Sequence, residues 1–192
     1  MSDVDLTTTY TVADFMADVK AILVAKGVTE AGLQEISQRM QELSKRDDLF
    51  ELGQYRPATP GGNTMGGYRL HAEPDDTLVL SVSQFSDEHA TPVHTHNTWG
   101  VLCGYTGRDR YIQYDRIDDE SKEGYAELKE AVNRVITRGD SVWWLDYPHD
   151  IHIQQAIGEP SWELLLMGKS TGGIERLHFE PESHKVWKVP AR

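Results

Sequence analysis

Cysteine is nearly absent from this sequence, with Cys103 the only one in 192 residues, so no disulfide can form within the chain. No apolar run approaches the roughly 20 residues that a membrane-spanning helix needs. The first thirty residues hold four aspartates and no basic segment ahead of an apolar stretch, unlike a secretory signal. These absences favour a cytoplasmic, reducing compartment and no membrane association.

Positive charge is also scarce. Lysine and arginine number 19 against 31 aspartates and glutamates, which gives a formal net charge of −12. Such a chain repels a phosphate backbone on average, so nucleic acid is not an expected partner. The ordinary interpretation of the charge is that it keeps the protein in solution. The sequence leaves open whether identical subunits associate.

Two helices are predicted between residues 10 and 45. Thr11 is a natural cap for the first, Gly27 ends it, and Thr29 opens the second. Apolar residues recur at three- and four-residue spacing, which is the period of one helical face. We interpret these stripes as packing faces; they consist of Phe15, Val19, Ile22 and Leu23, then Leu33, Ile36, Met40 and Leu43.

A loop rich in proline and glycine is predicted over 56–67, and short β-like runs separated by turn signals follow it. The runs are Thr77–Phe85, Thr98–Cys103, Arg110–Tyr114, Asn133–Thr137, Ser141–Leu145, Ile151–Ile157 and Trp162–Met167. Many short strands at this spacing are typical of a sandwich or barrel. We therefore expect one mainly β domain over 1–192, with a helical part over 1–55, a β-barrel over 68–192 and an acidic, weakly helical insertion over 118–130.

The central motif is His94-Thr95-His96. In an extended strand, residues two apart point to the same face, so two imidazoles at this spacing can share a metal ion. An apolar run from Trp99 onwards follows, which would bury the pair. The motif predicts a site for a divalent transition metal.

Two histidines compete for the place of a third ligand, His149 and His152, in a strand start roughly fifty-five residues later. Ile151 and Ile153 alternate with His152 and Gln154, so the latter two share the face opposite the isoleucines. A polar site inside a barrel would use that face. We therefore favour His152 as the ligand and expect His149 and Gln154 to support the site from beside it.

The remaining histidines, His71, His89, His178 and His184, are expected at the surface or in packing. A carboxylate from Glu88 or Asp150 in place of one imidazole would instead make a site of two histidines and one acid. Imidazole suits iron, zinc, copper and nickel alike, so ligand type alone does not select the metal.

The pattern resembles the cupin superfamily and, within it, the cysteine and 3-mercaptopropionate dioxygenases. The resemblance is carried by four segments: Tyr68-Arg69-Leu70-His71, Thr91 to Gly100 around the two histidines, Asp150-Ile151-His152, and Gly172 to Arg176. Many cupins carry a glutamate four residues after the second histidine, whereas this chain has Gly100 there. In lacking the acid it resembles the three-histidine thiol dioxygenases. The later glycine of the motif matches Gly107.

The resemblance implies a cupin double-stranded β-helix and Fe(II) held by His94, His96 and His152. In that family a substrate thiolate and dioxygen bind the iron, and the sulfur becomes a sulfinate. An arginine usually holds the substrate carboxylate, and Arg176 and Arg69 are the two candidates here. Trp99, Leu165 and Met167 would line the pocket.

One departure from the family concerns a late strand, which commonly carries a Ser-x-His-x-Tyr run. The corresponding residues here are Glu163 to Met167, so serine, histidine and tyrosine are all missing. Tyr68, Tyr105 or Tyr147 would have to supply a hydroxyl instead. Cys103 is not at the family's crosslinking position, so no cysteine–tyrosine crosslink is expected.

Three hypotheses follow from the sequence. The leading one is an iron-dependent dioxygenase that acts on a small thiol, with O2 as co-substrate. The second keeps the metal site but assigns another reaction, such as oxidation of a substrate without sulfur, or isomerisation. The third is a metal-binding protein of the same fold without catalytic activity.

Overall fold

The computed structural model describes residues 10–49, 67–172 and 174–190. Of the loop predicted over 56–67, residues 56–66 lie outside these ranges, and Gly67 begins the first strand. Helix α1 spans Val12–Lys26 and helix α2 spans Glu30–Ser44. Both predicted caps are confirmed: the Thr11 hydroxyl accepts from the backbone of Asp14 at 3.1 Å, and Thr29 accepts from Gly32 at 3.2 Å. Neither helix has the combined length and apolar character that crossing a membrane would take, and the described residues contain no other that does.

Within the described ranges eleven strands follow the helices, and a short 3₁₀ helix, Pro181–Ser183, precedes the last strand. They are β1 Gly67–Ala72, β2 Thr77–Phe85, β3 Val93–His94, β4 Gly100–Thr106, β5 Asp109–Arg116, β6 Leu128–Ile136, β7 Ser141–Trp144, β8 Ile151–Ala156, β9 Ser161–Lys169, β10 Arg176–Glu180 and β11 Lys185–Val189. The mainly β class with N-terminal helices is confirmed.

The strands form two sheets, ordered β1-β2-β9-β4-β7 and β11-β10-β3-β8-β5-β6. Eight of them, β2 to β9, form two four-stranded halves, β2-β9-β4-β7 and β3-β8-β5-β6. In this order the first strand pairs with the last and the chain folds back on itself, which is the double-sheet jelly roll found in cupins. The predicted cupin double-stranded β-helix is therefore confirmed from its strand order.

The predicted helical insertion over 118–130 is wrong. The chain forms turns after Arg116, and β6 begins at Leu128. The Asp118 carboxylate pairs with Arg116 at 2.8 Å and accepts the backbone N–H groups of Glu120 and Glu127 at 3.0 and 2.9 Å. These bonds close a loop around one carboxylate, and a helix would have broken them.

The five-stranded sheet is covered on both faces. Its outer face packs against α1 and α2 in a cluster that includes Phe15, Ile36, Val101 and Leu166. Its inner face contributes to a second cluster inside the barrel: Leu102, Tyr111, Ile136, Val142, Trp144 and Met167. Strand alternation thus assigns the odd residues of β4 to the helices and the even residues to the barrel interior.

The six-stranded sheet has a third apolar cluster on its outer face, which includes Val93, Ile151 and Phe179, with Ile153 packed against it. His152 and Gln154 alternate with these isoleucines and therefore face the barrel interior, as the sequence predicts. The interior is the place where the two sheets bring their polar residues together.

Candidate metal centre

The structure brings His94, His96 and His152 into one cluster inside the barrel. His94 and His152 are direct partners across β3 and β8, and His96 follows in the loop before β4. The Nε2 atom of His96 lies 3.2 Å from that of His94 and 3.3 Å from that of His152. One ring nitrogen from each residue lies within 4.8 Å of the other two.

All three histidines are buried, with exposed fractions of 8, 8 and 1%. Burial lowers the pKa of His94 to about 4, and it lowers the pKa values of His96 and His152 well below 6.5. The cause is desolvation, which penalises the imidazolium form. The rings are therefore neutral near pH 7, the form that donates a lone pair to a metal.

The residues fit a divalent ion. Two imidazole nitrogens that share a metal at about 2.1 Å stand roughly 3.0–3.4 Å apart in octahedral or tetrahedral geometry, which matches the two Nε2 separations. His94 Nδ1 lies 2.8 Å from the carbonyl oxygen of Pro92, so its Nδ1–H can donate there and Nε2 is left free as the ligand atom. Among the described residues, no carboxylate or thiolate joins the cluster.

Asp150 does not act as the acidic ligand that the sequence left open. Its carboxylate accepts the backbone N–H groups of His96 and Asn97 at 2.8 and 2.6 Å. Asn97 has a positive φ of 54°, so the chain turns sharply after His96. Asp150 therefore holds the loop that carries one ligand against the strand that carries another. Glu88 is exposed and stands outside the cluster.

Two aromatic residues that the sequence did not single out lie against the histidines. The Trp144 ring stacks on that of His96, with 5.9 Å between the ring centroids, and its centroid lies 4.9 Å from that of the His152 ring. The Tyr111 ring lies 5.3 Å from His152, and its hydroxyl donates to Oε1 of Gln113 at 3.2 Å. Leu165 and Met167 pack with this interior group, and their role as pocket lining stays a prediction.

Two of the predicted site residues are placed elsewhere. Tyr105, an odd residue of β4, and Trp99, which directly precedes that strand, pack in the cluster between β4 and the helices. The wall position expected for Trp99 is taken by Trp144. The Tyr68 side chain lies outside what the structure describes. His149 is exposed in the turn before β8, and its carbonyl accepts from Gln113 at 3.0 Å.

A row of side chains leads from the cluster to the surface. Trp187, His178, His94, His152 and Gln113 are successive cross-strand partners on β11, β10, β3, β8 and β5. The His178 ring lies 6.2 Å from that of His94 and 6.0 Å from that of Trp187, which is 47% exposed.

Arg176 lies two residues before His178 and therefore on the same face of β10. Its positive charge contributes to the lowered pKa values of all three clustered histidines, so it lies close to them. Within the described structure its guanidinium donates one hydrogen bond, to the carbonyl of Thr171 at 3.5 Å, and no described acid pairs with the guanidinium. Arg69 is exposed on β1, opposite Ser81.

Gln154 does not support the histidines but joins a second polar group deeper in the barrel. Its amide donates to Glu163 at 2.7 Å, and Ser161 donates to Asp109 at 3.2 Å. Burial raises the pKa of Asp109 to about 7, and burial together with the Asp109 charge raises that of Glu163 well above its usual value. No pattern in the sequence predicts this pair, because Glu163 stands in an otherwise apolar run.

No family model matches this sequence, and no curated protein is similar to it. Solved structures with a related fold include the DMSP lyase DddQ from Ruegeria pomeroyi DSS-3, at 17% identity over 69% of this chain and 60% of that one, with a TM-score of 0.44. An RmlC-like cupin from Ralstonia eutropha JMP134 is 14% identical over 71% and 73% of the two chains, with a TM-score of 0.44.

An oxalate oxidase is similar at 17% identity over 65% of this chain and 61% of its own, with a TM-score of 0.45. This chain thus spans less than two thirds of the lyase and of the oxidase. Similarity at these levels does not bear on substrate or reaction.

Replacement of one clustered histidine should abolish tight metal binding. We expect His152→Ala to weaken Co(II) or Fe(II) affinity by more than about 100-fold, since loss of a residue that merely supports a ligand already costs about 10- to 100-fold. The measurement is anaerobic metal titration. His149→Ala is the matched control and should bind like the wild type; equal losses in both variants would contradict the assignment of His152.

The buried carboxyl of Asp109 should make stability depend on pH. Its folded pKa of about 7 exceeds the unfolded value of 3.8, so the folded state retains a proton that the unfolded state releases between about pH 4 and 7. The contribution of Asp109 to the free energy of unfolding therefore falls as pH rises through that window. In urea unfolding, Asp109→Asn should gain stability relative to wild type from pH 4 to 7.

Asp115→Asn is the control for this experiment, because Asp115 is exposed on the same strand. This variant shows how far the loss of any exposed carboxyl from this strand alters the pH dependence. A difference for Asp109→Asn that changes no more than this over the same window would show that Asp109 ionises normally in the folded protein.

Proposed function

We propose that the protein is an iron-dependent dioxygenase that oxidises the sulfur of a small thiol carboxylate to a sulfinate with O2. The observation that carries the proposal is the buried cluster of three neutral imidazoles beside a cationic side chain with no acidic partner among the described residues. A three-histidine set leaves positions open on the metal and brings no negative charge of its own.

In this proposal His94, His96 and His152 hold the iron. Bound Fe(II) supplies the redox chemistry and open positions for substrate and dioxygen. The chain keeps the three imidazoles in register through the β3–β8 pairing and through the bonds from Asp150 to the His96 loop. The substrate and O2 are the expected small-molecule partners.

Arg176 is proposed to hold the substrate carboxylate. Its guanidinium is half-buried, and burial lowers its pKa. It stays charged, because a guanidinium is not deprotonated in proteins. A partly buried cation without a partner costs free energy until an anion pairs with it. A carboxylate that binds there would offset that free-energy cost and orient the other end of the substrate towards the histidines.

The interior residues are proposed to exclude water and to shape the pocket. Leu165, Met167 and Trp144 supply apolar surface from the five-stranded sheet. The row from Trp187 to Gln113 lies on the other, six-stranded sheet. Tyr111 is the tyrosine that lies beside a ligand, in place of the one missing from the late strand. Burial raises its pKa well above 10, so its hydroxyl stays protonated.

A second candidate function keeps the metal centre and changes the substrate. The late strand places Leu165 and Met167 where the thiol dioxygenases commonly carry polar residues, and an apolar wall also suits a substrate without sulfur. Oxidation or isomerisation of such a molecule is the alternative, and a non-catalytic metal-binding role is the third outcome of the test below.

The test is anaerobic reconstitution with Fe(II), followed by oxygen uptake with cysteine, 3-mercaptopropionate and cysteamine. We expect uptake with a thiol carboxylate and one sulfinate formed per O2 consumed. Zinc-loaded protein, which has no redox chemistry, should consume none. Iron-loaded protein that consumes no O2 with any thiol would contradict the proposal, and turnover of a sulfur-free substrate would favour the alternative.

Arg176 should determine affinity for the carboxylate. We expect Arg176→Gln to raise KM for 3-mercaptopropionate about 10- to 100-fold, the value of a hydrogen bond to a charged group, with little change for cysteamine, which lacks the carboxylate. Steady-state oxygen uptake measures both. Arg69→Gln is the matched control; if it alone raises KM, the carboxylate is held by Arg69 instead.

A further inference from the structure

Trp144 occupies a fixed place in the barrel wall beside the histidines. It is the last residue of β7 and is fully buried, and its partner across the sheet is Gly100, the first residue of β4. The indole N–H donates to the carbonyl of Thr98 at 3.1 Å. Packing and this hydrogen bond together leave the ring one orientation.

That orientation places the indole against two of the three clustered rings. It stacks on His96 with an interplanar angle of 24° and meets His152 at 50°. The Nδ1 atom of His96 has no hydrogen-bond partner in the described part of the chain, whereas a hydrogen bond to the backbone of Asp150 acts on His152. The Trp144 ring therefore contributes an apolar surface that restricts how both rings rotate, and for His96 no hydrogen bond at Nδ1 does so.

Gly100 is tied to Trp144 by space. A Cβ atom at position 100 would overlap the indole, and its three nearest atoms all belong to that ring. Even-numbered residues of β4 face the barrel interior, so any side chain at position 100 would point into the volume that Trp144 fills. As long as the tryptophan is present, β4 cannot supply a side chain to the cluster from this position.

We propose that Trp144 is a positioning residue that fixes the metal centre at three protein ligands. Its indole takes the volume through which a residue at position 100 would reach the histidines, and it holds two of the ligand rings in place. The inference rests on the proposed metal centre. The pair Gly100–Trp144 then acts as one unit, in which the small residue is required by the large one.

The first experiment measures the pair without metal. Gly100→Ala should lower Tm clearly in the wild-type background and little in a Trp144→Ala background, because the overlap is gone. Gly168→Ala is the matched control: its Cβ would overlap Trp99 rather than Trp144, so its effect on Tm should be the same in both backgrounds. Equal effects of Gly100→Ala in the two backgrounds would overturn the spatial pairing.

The second experiment measures the ligands with Co(II), whose visible absorption reports coordination number. Trp144→Ala should weaken Co(II) binding about 10- to 100-fold, the usual loss when a residue that holds a ligand is removed. Trp144→Phe, which keeps an aromatic surface, should lose only a few-fold. Wild-type affinity in the Trp144→Ala variant would overturn the positioning role.

The third comparison tests the ligand number. In the Trp144→Ala background, Gly100→Glu should bind Co(II) more tightly than Gly100→Gln and shift the absorption spectrum towards a higher coordination number. Identical affinity and spectra for the two, in samples shown by circular dichroism to be folded, would overturn the inference. Wild-type protein that binds neither Co(II) nor Fe(II) would instead refute the proposed function, while the Tm comparison would still report on the pair.

Discussion

The pairing of His94 with His152 is the contact on which the site depends. β3 is only two residues long, yet it is held by β8 on one side and β10 on the other. Thr95 then donates its N–H to the carbonyl of Leu177 at 3.0 Å and accepts from the Leu177 N–H at 3.1 Å. With Asp150 on the His96 loop, the ligand segment is anchored from three neighbouring segments, so the imidazoles are positioned before any ion binds.

The ligand cluster could be predicted from the sequence because each step used a period of two. His94 and His96 share a face by spacing, and the isoleucines on either side of His152 show which face is buried in apolar contacts. The aromatic wall could not be predicted in this way. β4 is buried on both faces, by helices and by the barrel interior, so its run from Val101 to Tyr105 is apolar throughout and carries no period.

The missing period also explains why the sequence predicts Trp99 beside the histidines whereas the structure has Trp144 there. Which tryptophan reaches the histidines depends on which face of the strand points into the barrel, and that is set by the pairing of β4 with β7 and β9. The error over 118–130 has a different origin. Acidic residues with weak helical periodicity also suit a loop whose backbone bonds go to one carboxylate, here Asp118.

Burial acts on the two polar ends of the barrel with opposite signs and the same result. Desolvation lowers the pKa values of the three histidines and raises those of Asp109 and Glu163, so both ends favour their neutral forms.

Arg176 stays charged near the histidine end. A divalent ion there would add two further positive charges, in a protein whose net charge is −12. Under the proposed function, an anion would balance this local charge, and a substrate that carries both a carboxylate and a thiolate would supply two negative groups at once. An uncharged substrate would leave the arginine unpaired at the cost of desolvation. The charge of the site is therefore a reason to propose an anionic substrate whichever of its atoms reacts.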